Sequence, residues 1–374
     1  MTTKPIGLYI HIPFCVSKCK YCDFCSLGGA YDQYIDAYLD ALFDEAEQYR
    51  REEPIAVDTL YFGGGTPSLL SVEKLGKILE RIRSVFDLSP LREFTLEANP
   101  GTLTKEKADG FIALGVNRIS LGMQTIHSIE LEKLGRIHTF EDFLRSYNML
   151  RDAGFDNIGI DLMYGIPEQT VSSFRETLSR VIELRPEHIS AYGLIIEEGT
   201  PFFEMRDTLA LPDEDTECNM YLTACNMLRE AGYEHYEISN YSLKGRPSLH
   251  NLKYWETSPY IGLGAAAYSY FDGVRYGNPK SVSRYIGGER RTDVDPVDRK
   301  GEENEYIMMR LRLSDGIVLS EYSSEFGKSF TEGREAILSS FEKLGFLSVG
   351  SNSVSLTEKG FYISNTVICD LLDP

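Results

Sequence analysis

The 374-residue chain contains no run of about 18 apolar residues, so no segment is expected to cross a membrane as a helix. Its first residues, MTTKPIG, have neither the basic start nor the apolar stretch of a secretory leader, which points to the cytoplasm. Basic residues are scarce. The 38 Lys and Arg stand against 57 Asp and Glu, and the formal charge of −19 disfavours loose association with nucleic acid or anionic membrane. There is no low-complexity tract, no Pro-rich linker and no short repeat of the solenoid kind. Cysteine is present in an odd number, seven, which argues against a disulfide framework; in a reducing compartment clustered thiols are more often metal ligands or catalytic groups. With 42% hydrophobic residues, a chain of this length is expected to bury one large core and a smaller second one.

Between residue 8 and about 197, short apolar runs rich in β-formers alternate with longer stretches of helical period, the pattern of repeated β-α units around a parallel sheet. Strands are expected at 8–14, 58–64, 93–99, 118–124, 157–165 and 188–196. Helices are expected at 33–49, at 140–154 closed by Gly154, and at 170–184 ahead of Pro186. Six such units fit an open barrel or a doubly wound sheet, and the spacing does not choose between them. Polar residues and glycines gather at the C-terminal strand ends, in GGGTP, EANP, GMQT and DLMYG, the edge at which parallel α/β folds bind ligands. A helix over 213–231 leads into aromatic, strand-like segments, and the acidic stretch 292–304 reads as a boundary. Beyond it, helices near 303–312, 319–326 and 332–344, a hairpin over 346–357 and a last helix suggest a winged-helix-like α+β module. With 14 acidic against 8 basic side chains, a net −6 over 295–374, that module is not expected to bind nucleic acid.

Residues 11–26, HIPFCVSKCKYCDFCS, hold four of the seven cysteines. Cys15, Cys19 and Cys22 follow C-x-x-x-C-x-x-C directly after a strand. Thiolates are soft ligands that suit iron–sulfur clusters and zinc. The same spacing places all three on one face of a helix as small apolar side chains, but Pro13, Lys18 and Lys20 interrupt such a helix. Zinc held by these thiolates with His11 is the stronger rival, although strand alternation is expected to carry His11 away from the loop. A three-thiolate loop leaves one iron of a four-iron cluster open to a substrate or cofactor.

In this loop the chain resembles the radical S-adenosylmethionine (SAM) superfamily. The resemblance implies a [4Fe–4S] cluster on Cys15, Cys19 and Cys22, SAM on the fourth iron, an electron donor, and one-electron cleavage of SAM. It also implies an open (β/α)6 partial barrel over 1–231, an extension over 232–294 and the C-terminal module over 295–374. Tyr9, Tyr21, Gly64, Gly65, Thr66, Glu97, Gln124, Arg136 and Asp161 fall in order where relatives contact SAM. The glycine triplet also suits close approach of a ligand to the backbone.

More narrowly, YIHIPFC, GGGTP, DLMYGIP, HNLKYW and LTEKGFYISN resemble the oxygen-independent coproporphyrinogen III oxidase family over nearly the whole chain. Its true oxidases decarboxylate porphyrinogen propionates, and its heme chaperone branch binds heme for transfer. Three features favour the chaperone branch: only eight residues precede Tyr9, Phe24 stands where oxidases carry a further cysteine, and HNLKYW matches H-N-x-x-Y-W. The implied partners are heme, heme-accepting proteins and, through such acceptors alone, a membrane. His250 is the candidate heme ligand, with Tyr254 and Trp255 as flat surface for the porphyrin. Cys25 reads as a bystander thiol, and Cys218, Cys225 and Cys369 as core or surface thiols.

Overall fold

A computed structural model describes residues 4–29 and 31–372; Met1–Thr3, Ala30 and the last two residues lie outside the described residues. The six expected strands are β1 (Ile6–Ile12), β2 (Val57–Gly64), β3 (Glu93–Ala98), β4 (Arg118–Gln124), β5 (Ile158–Tyr164) and β6 (His188–Gly193). Each pairs in parallel with the next in chain order. A doubly wound sheet reverses its strand order at a switch point, and this one does not, so the architecture is the open barrel. Helices between the strands follow their sequence signals. Phe140–Ala153 starts at a capping box of Thr139 with Asp142 and ends at Gly154 in the left-handed region, φ 104°.

Two strand ends differ from the sequence reading for hydrogen-bonding reasons. β1 stops before Pro13, which has no N–H to give a ladder, and Phe14–Cys15 instead pair with Leu27–Gly28, closing the cysteine loop at its base. β6 ends at Gly193, where Leu194 N–H makes the last ladder bond, to Tyr164 O at 2.9 Å.

The sheet continues beyond the six strands through β7 (Glu234–Glu237), β8 (Asn240–Ser242), β9 (Tyr260–Leu263), β10 (Tyr268–Phe271), β11 (Val274–Gly277) and β12 (Asp293–Pro296). Its order is β12-β11-β10-β9-β1-β2-β3-β4-β5-β6-β8-β7. β9 lies parallel to β1, with Leu8 opposite Ile261, and so extends the parallel block at its first edge. The acidic stretch at 292–304 is thus structured: part of it is the edge strand β12, and part opens the helix Arg299–Arg310.

The C-terminal residues form the helices Arg299–Arg310, Leu319–Phe326 and Glu335–Lys343 with a three-stranded antiparallel wing of Ile317–Val318, Ser353–Leu356 and Leu347–Val349. Two short helices follow, Glu358–Tyr362 and Ser364–Leu372. One apolar core runs from Leu8 and Phe62 in the barrel to Val354 and Ile368 here. Arg229 with Glu358, and Ser314 N–H donating to Tyr236 O at 3.1 Å, add polar contacts across the junction. No helix among the described residues is long and apolar enough to cross a membrane.

Candidate functional site

Strand alternation sorts the side chains of the parallel block. In β4, Ile119, Leu121 and Met123 are buried in the apolar core, while Arg118, Ser120, Gly122 and Gln124 line a cavity inside the barrel. β3 sends Glu97 to the same cavity, β5 sends Asp161, and β6 sends His188, Ser190 and Tyr192. The cavity holds about 420 Å³, and Cys15, Cys19 and Cys22 line it together with Tyr21, Gly64, Gly65, Thr66 and Arg136. Eleven of the thirteen candidate residues therefore meet in one pocket. Tyr9 and His250 are the two that do not.

A polar chain runs behind the cysteines. Arg136 Nη1 lies 3.6 Å from Cys19 Sγ, and its Nη2 donates to Asn99 Oδ1 at 2.9 Å and to Gly122 O. Asn99 Nδ2 donates to Thr66 Oγ1 at 2.8 Å, and Thr66 Oγ1 lies 3.6 Å from Cys15 Sγ. Two ligand-candidate thiols are thus tied to one guanidinium and one amide. The Arg136 Nε and the Arg118 Nε are buried without a protein partner, so the pocket holds unspent donors.

Glu97 accepts from Tyr61 OH at 2.8 Å and from Gly64 N–H at 3.0 Å. Burial, helped by the charge of Asp161, outweighs those bonds and pushes its pKa up to about 7. Asp161 accepts from Ser120 Oγ at 3.0 Å. Gln124, at a bulge in β4, has φ 71°, a conformation that costs a residue with a side chain about 1–3 kcal/mol and gathers at functional sites.

The glycine triplet also serves a contact within the chain. A Cβ on Gly64, which has φ 110°, would collide with the His11 imidazole, and one on Gly65 would stand 2.8 Å from Phe14 N and 3.0 Å from Cys15 Sγ. The missing side chains make room for the cysteine loop itself.

His11 also differs from expectation. Its Nε2 bonds Cys25 O at 2.8 Å and its Nδ1 bonds Tyr9 OH at 3.0 Å, so it reaches the loop's backbone, not its thiols. Burial lowers its pKa to about 4 and keeps it neutral. With both ring nitrogens engaged, it supplies no fourth metal donor.

His250 lies in the short helix Leu249–Trp255, whose first amides, at Leu249 and His250, donate to the Glu93 carboxylate at 2.8 and 2.9 Å. It is 1% exposed, with Nδ1 on Thr59 Oγ1 at 2.9 Å and Nε2 on Tyr254 OH at 2.8 Å. Burial, then Lys253 and Arg118, push its pKa down to about 3. In this arrangement neither nitrogen is offered to a ligand. Trp255 lines neither large pocket; its ring sits under Arg312 of the C-terminal module, 6.0 Å from the guanidinium carbon.

A second, larger cavity of about 850 Å³ adjoins the first along the cysteine loop, sharing Lys18, Phe24 and Ser26 with it. Tyr9, Tyr254 and Cys25 line it. Between the two cavities stand Tyr9, Tyr61 and His250, with Tyr9–Tyr61 centroids 6.0 Å apart and Tyr61–His250 centroids 5.1 Å apart in stacked geometry. The helix of the HNLKYW motif thus gives Asn251 to the smaller cavity and Tyr254 to the larger. Cys225, buried against Tyr241 OH at 3.2 Å, Cys218 and the exposed Cys369 line neither.

Comparison with known proteins matches residues 9–181 to the radical SAM superfamily and residues 297–363 to the HemN C-terminal domain. Proteins named heme chaperone HemW from Lactococcus lactis, Bacillus subtilis and Escherichia coli are 37%, 35% and 33% identical to the chain. The alignments cover 98%, 96% and 97% of it, and 97% of each relative. The chain belongs to the HemW family. A solved structure described as coproporphyrinogen III oxidase (HemN) from Escherichia coli superposes with TM-score 0.87 at 23% identity, covering 99% of this chain and 90% of that one, and shares its fold.

Within this HemW-family fold, several pocket residues escaped the sequence reading: Tyr61, Asn99, Arg118, Ser120, His188 and Asn251. Most carried a usable signal. On strands buried on both faces, a polar residue every second position must be turned to an internal cavity, and RISLGMQ and HISAYG both show that alternation. Asn251 had no such signal, because its helix meets the barrel only through tertiary packing.

Proposed function

We propose that this chain is a heme chaperone that carries a [4Fe–4S] cluster on Cys15, Cys19 and Cys22, binds SAM beside it, and passes heme to acceptor proteins. The observation that carries the reading is the single pocket in which the three thiols meet the residues of the SAM resemblance, in a chain whose relatives bear the heme chaperone name from end to end.

The donor set suits such a cluster. A lone zinc draws its thiolates to about 2.3 Å from one point, whereas among the described residues no three His, Cys, Asp or Glu side chains converge closely enough for a single ion. Three thiols lining one pocket suit a soft, multi-iron group. When bound, the cluster would supply single electrons to SAM. The protein's own part is to hold and orient. Arg136 and the unspent Arg118 Nε offer donors to a carboxylate, and Asp161 and Glu97 offer acceptors to ribose hydroxyls or an ammonium. Tyr21, beside Cys22, and Met163 supply apolar wall. Tyr9 and His250, outside this pocket, contribute to the partition between the cavities. His250 acts on heme through Tyr254, whose hydroxyl it fixes. The cysteines must stay reduced for this chemistry, in keeping with a cytoplasmic site of action.

Anaerobic reconstitution should yield about four iron and four sulfide per chain, lost in the Cys15→Ala, Cys19→Ala, Cys22→Ala triple variant. A full cluster in that variant would sink the assignment. The oxidase reading has the shared fold behind it; steady conversion of coproporphyrinogen III to protoporphyrinogen by the reduced protein with SAM would replace the chaperone reading.

A further inference from the structure

Around the larger cavity the protein keeps three aromatic side chains in contact with water: Phe24 is 58% exposed, Tyr34 42% and Tyr268 37%. Isolated exposed aromatics need no explanation, but three ringing one concavity mark a surface kept open for a ligand. Deeper in, Tyr254 and Tyr260 meet edge to face, ring centroids 4.6 Å apart, and give the cavity a rigid aromatic floor.

The charge at this mouth runs against that of the chain. In a protein of formal charge −19, the charged side chains lining the cavity are Lys18, Lys280 and one acid, Asp23. Lys18 Nζ donates to Phe24 O at 3.0 Å, which leaves further donors on the same ammonium. Lys280, also at the cavity, is exposed beside Ser281 and Val282. Aromatic faces below and two ammonium groups at the rim suit a flat, apolar ring with carboxylates at its edge. The volume of about 850 Å³ lies in the range of about 300–1,000 Å³ typical of small-molecule sites.

We propose that this cavity is the tetrapyrrole site, with the ring against Tyr254 and Tyr268 and its propionates paired to Lys18 and Lys280. The proposal rests on the chaperone reading and adds where heme sits and what holds it. The site is open at one side, where Phe24, Tyr34 and Tyr268 meet solvent, so the ring can leave toward an acceptor without the barrel opening. Its other side abuts the cysteine loop, since Lys18, Phe24 and Ser26 belong to both cavities. The bound ring and the cofactor pocket therefore touch the same nine-residue stretch, from Lys18 to Ser26.

The test uses anaerobically reconstituted full-length protein, titrated with heme and followed by its Soret band. Lys280→Glu and Tyr268→Ala, both outside the cysteine pocket, should each weaken heme binding about tenfold, the loss expected for one charge-assisted contact or one aromatic wall. Iron and sulfide content should not change. Heme dimethyl ester, which keeps the ring and lacks the carboxylates, should bind wild type about as weakly as heme binds Lys280→Glu, and should not distinguish the two proteins. Wild-type heme affinity in both variants would overturn this site while leaving the chaperone reading standing. A wild-type protein that takes up no heme would overturn the chaperone reading itself. An ester weakened by Lys280→Glu as much as heme is would overturn the role given to the propionates.

Discussion

The two cavities share a lip and little else. The smaller is built on strand ends and lined by buried charged and polar groups, among them Arg118, Arg136, Glu97 and Asp161, each held by neighbours in the sheet. The larger hangs on the outer flank, between the cysteine loop, β9 and β10, and is walled by tyrosines and Phe24, several of them wet. Buried polar groups on rigid strands suit a small polar cofactor that stays, because every unspent donor is costly until a ligand satisfies it. Exposed aromatic faces suit a flat ligand that comes and goes, because stacking and desolvation are recovered on any partner of similar shape. On the proposed reading, one chain keeps a retentive site and an exchangeable one side by side.

The comparison breaks most severely if the loop fails. Removing all three cysteines should abolish bound iron while circular dichroism stays at wild-type helix and strand content, since β1 and the 14–15 to 27–28 pairing do not depend on the thiols. Unfolding of the apo triple variant would show that the loop is part of the scaffold.

The next effect is on stability against pH. Glu97 and Glu237 both have folded pKa values of about 7, raised from 4.5 by burial. The folded state therefore binds more protons than the unfolded one between these limits. The stabilising contribution is fully present below about pH 4.5 and is lost as pH rises through 7, up to about 3 kcal/mol for each group. Urea unfolding of apo protein at about pH 5 and about pH 7.5 should show this loss, and Glu97→Gln should remove one group's share. An unaltered pH slope in that variant would mean Glu97 is ionised in the folded apo protein.

Smaller still is the roughly tenfold loss of heme affinity expected for Lys280→Glu, which separates the cavities because SAM binding should be untouched. The smallest effect belongs to the partition. His250→Gln should lower heme affinity by about threefold through a loosened Tyr254, with the heme absorption spectrum unchanged. A changed spectrum, or no binding, would return the imidazole to the iron.

The cysteine loop, the six strands and the order of the SAM-type residues were legible because each is a local pattern. C-x-x-x-C-x-x-C needs only a tight loop, and alternation in RISLGMQ needs only a strand. Tyr9 and His250 were assigned to ligands by pattern alone, and packing puts both outside the cysteine pocket: Tyr9 lines the outer cavity, and both nitrogens of His250 are taken by Thr59 and Tyr254. The glycines of GGGTP were read as a close approach of a ligand, and packing adds that Gly64 and Gly65 also make room for His11 and the chain at Phe14–Cys15. Trp255 looked like porphyrin surface and instead meets Arg312, almost sixty residues later in the chain.

What the sequence alone determined is the chemistry: soft thiolates at a spacing that closes a loop, polar residues at the carboxyl ends of strands, and an acidic chain of formal charge −19. These follow from residue type and short-range geometry. Tertiary structure decided the partition into two cavities, because β9 must come back from residue 260 to lie beside β1, and the helix Leu249–Trp255 must dock on Glu93, before Asn251 and Tyr254 can line different cavities. Contacts across 150 to 250 residues are set by how apolar faces and buried charges find partners, and no local period encodes them.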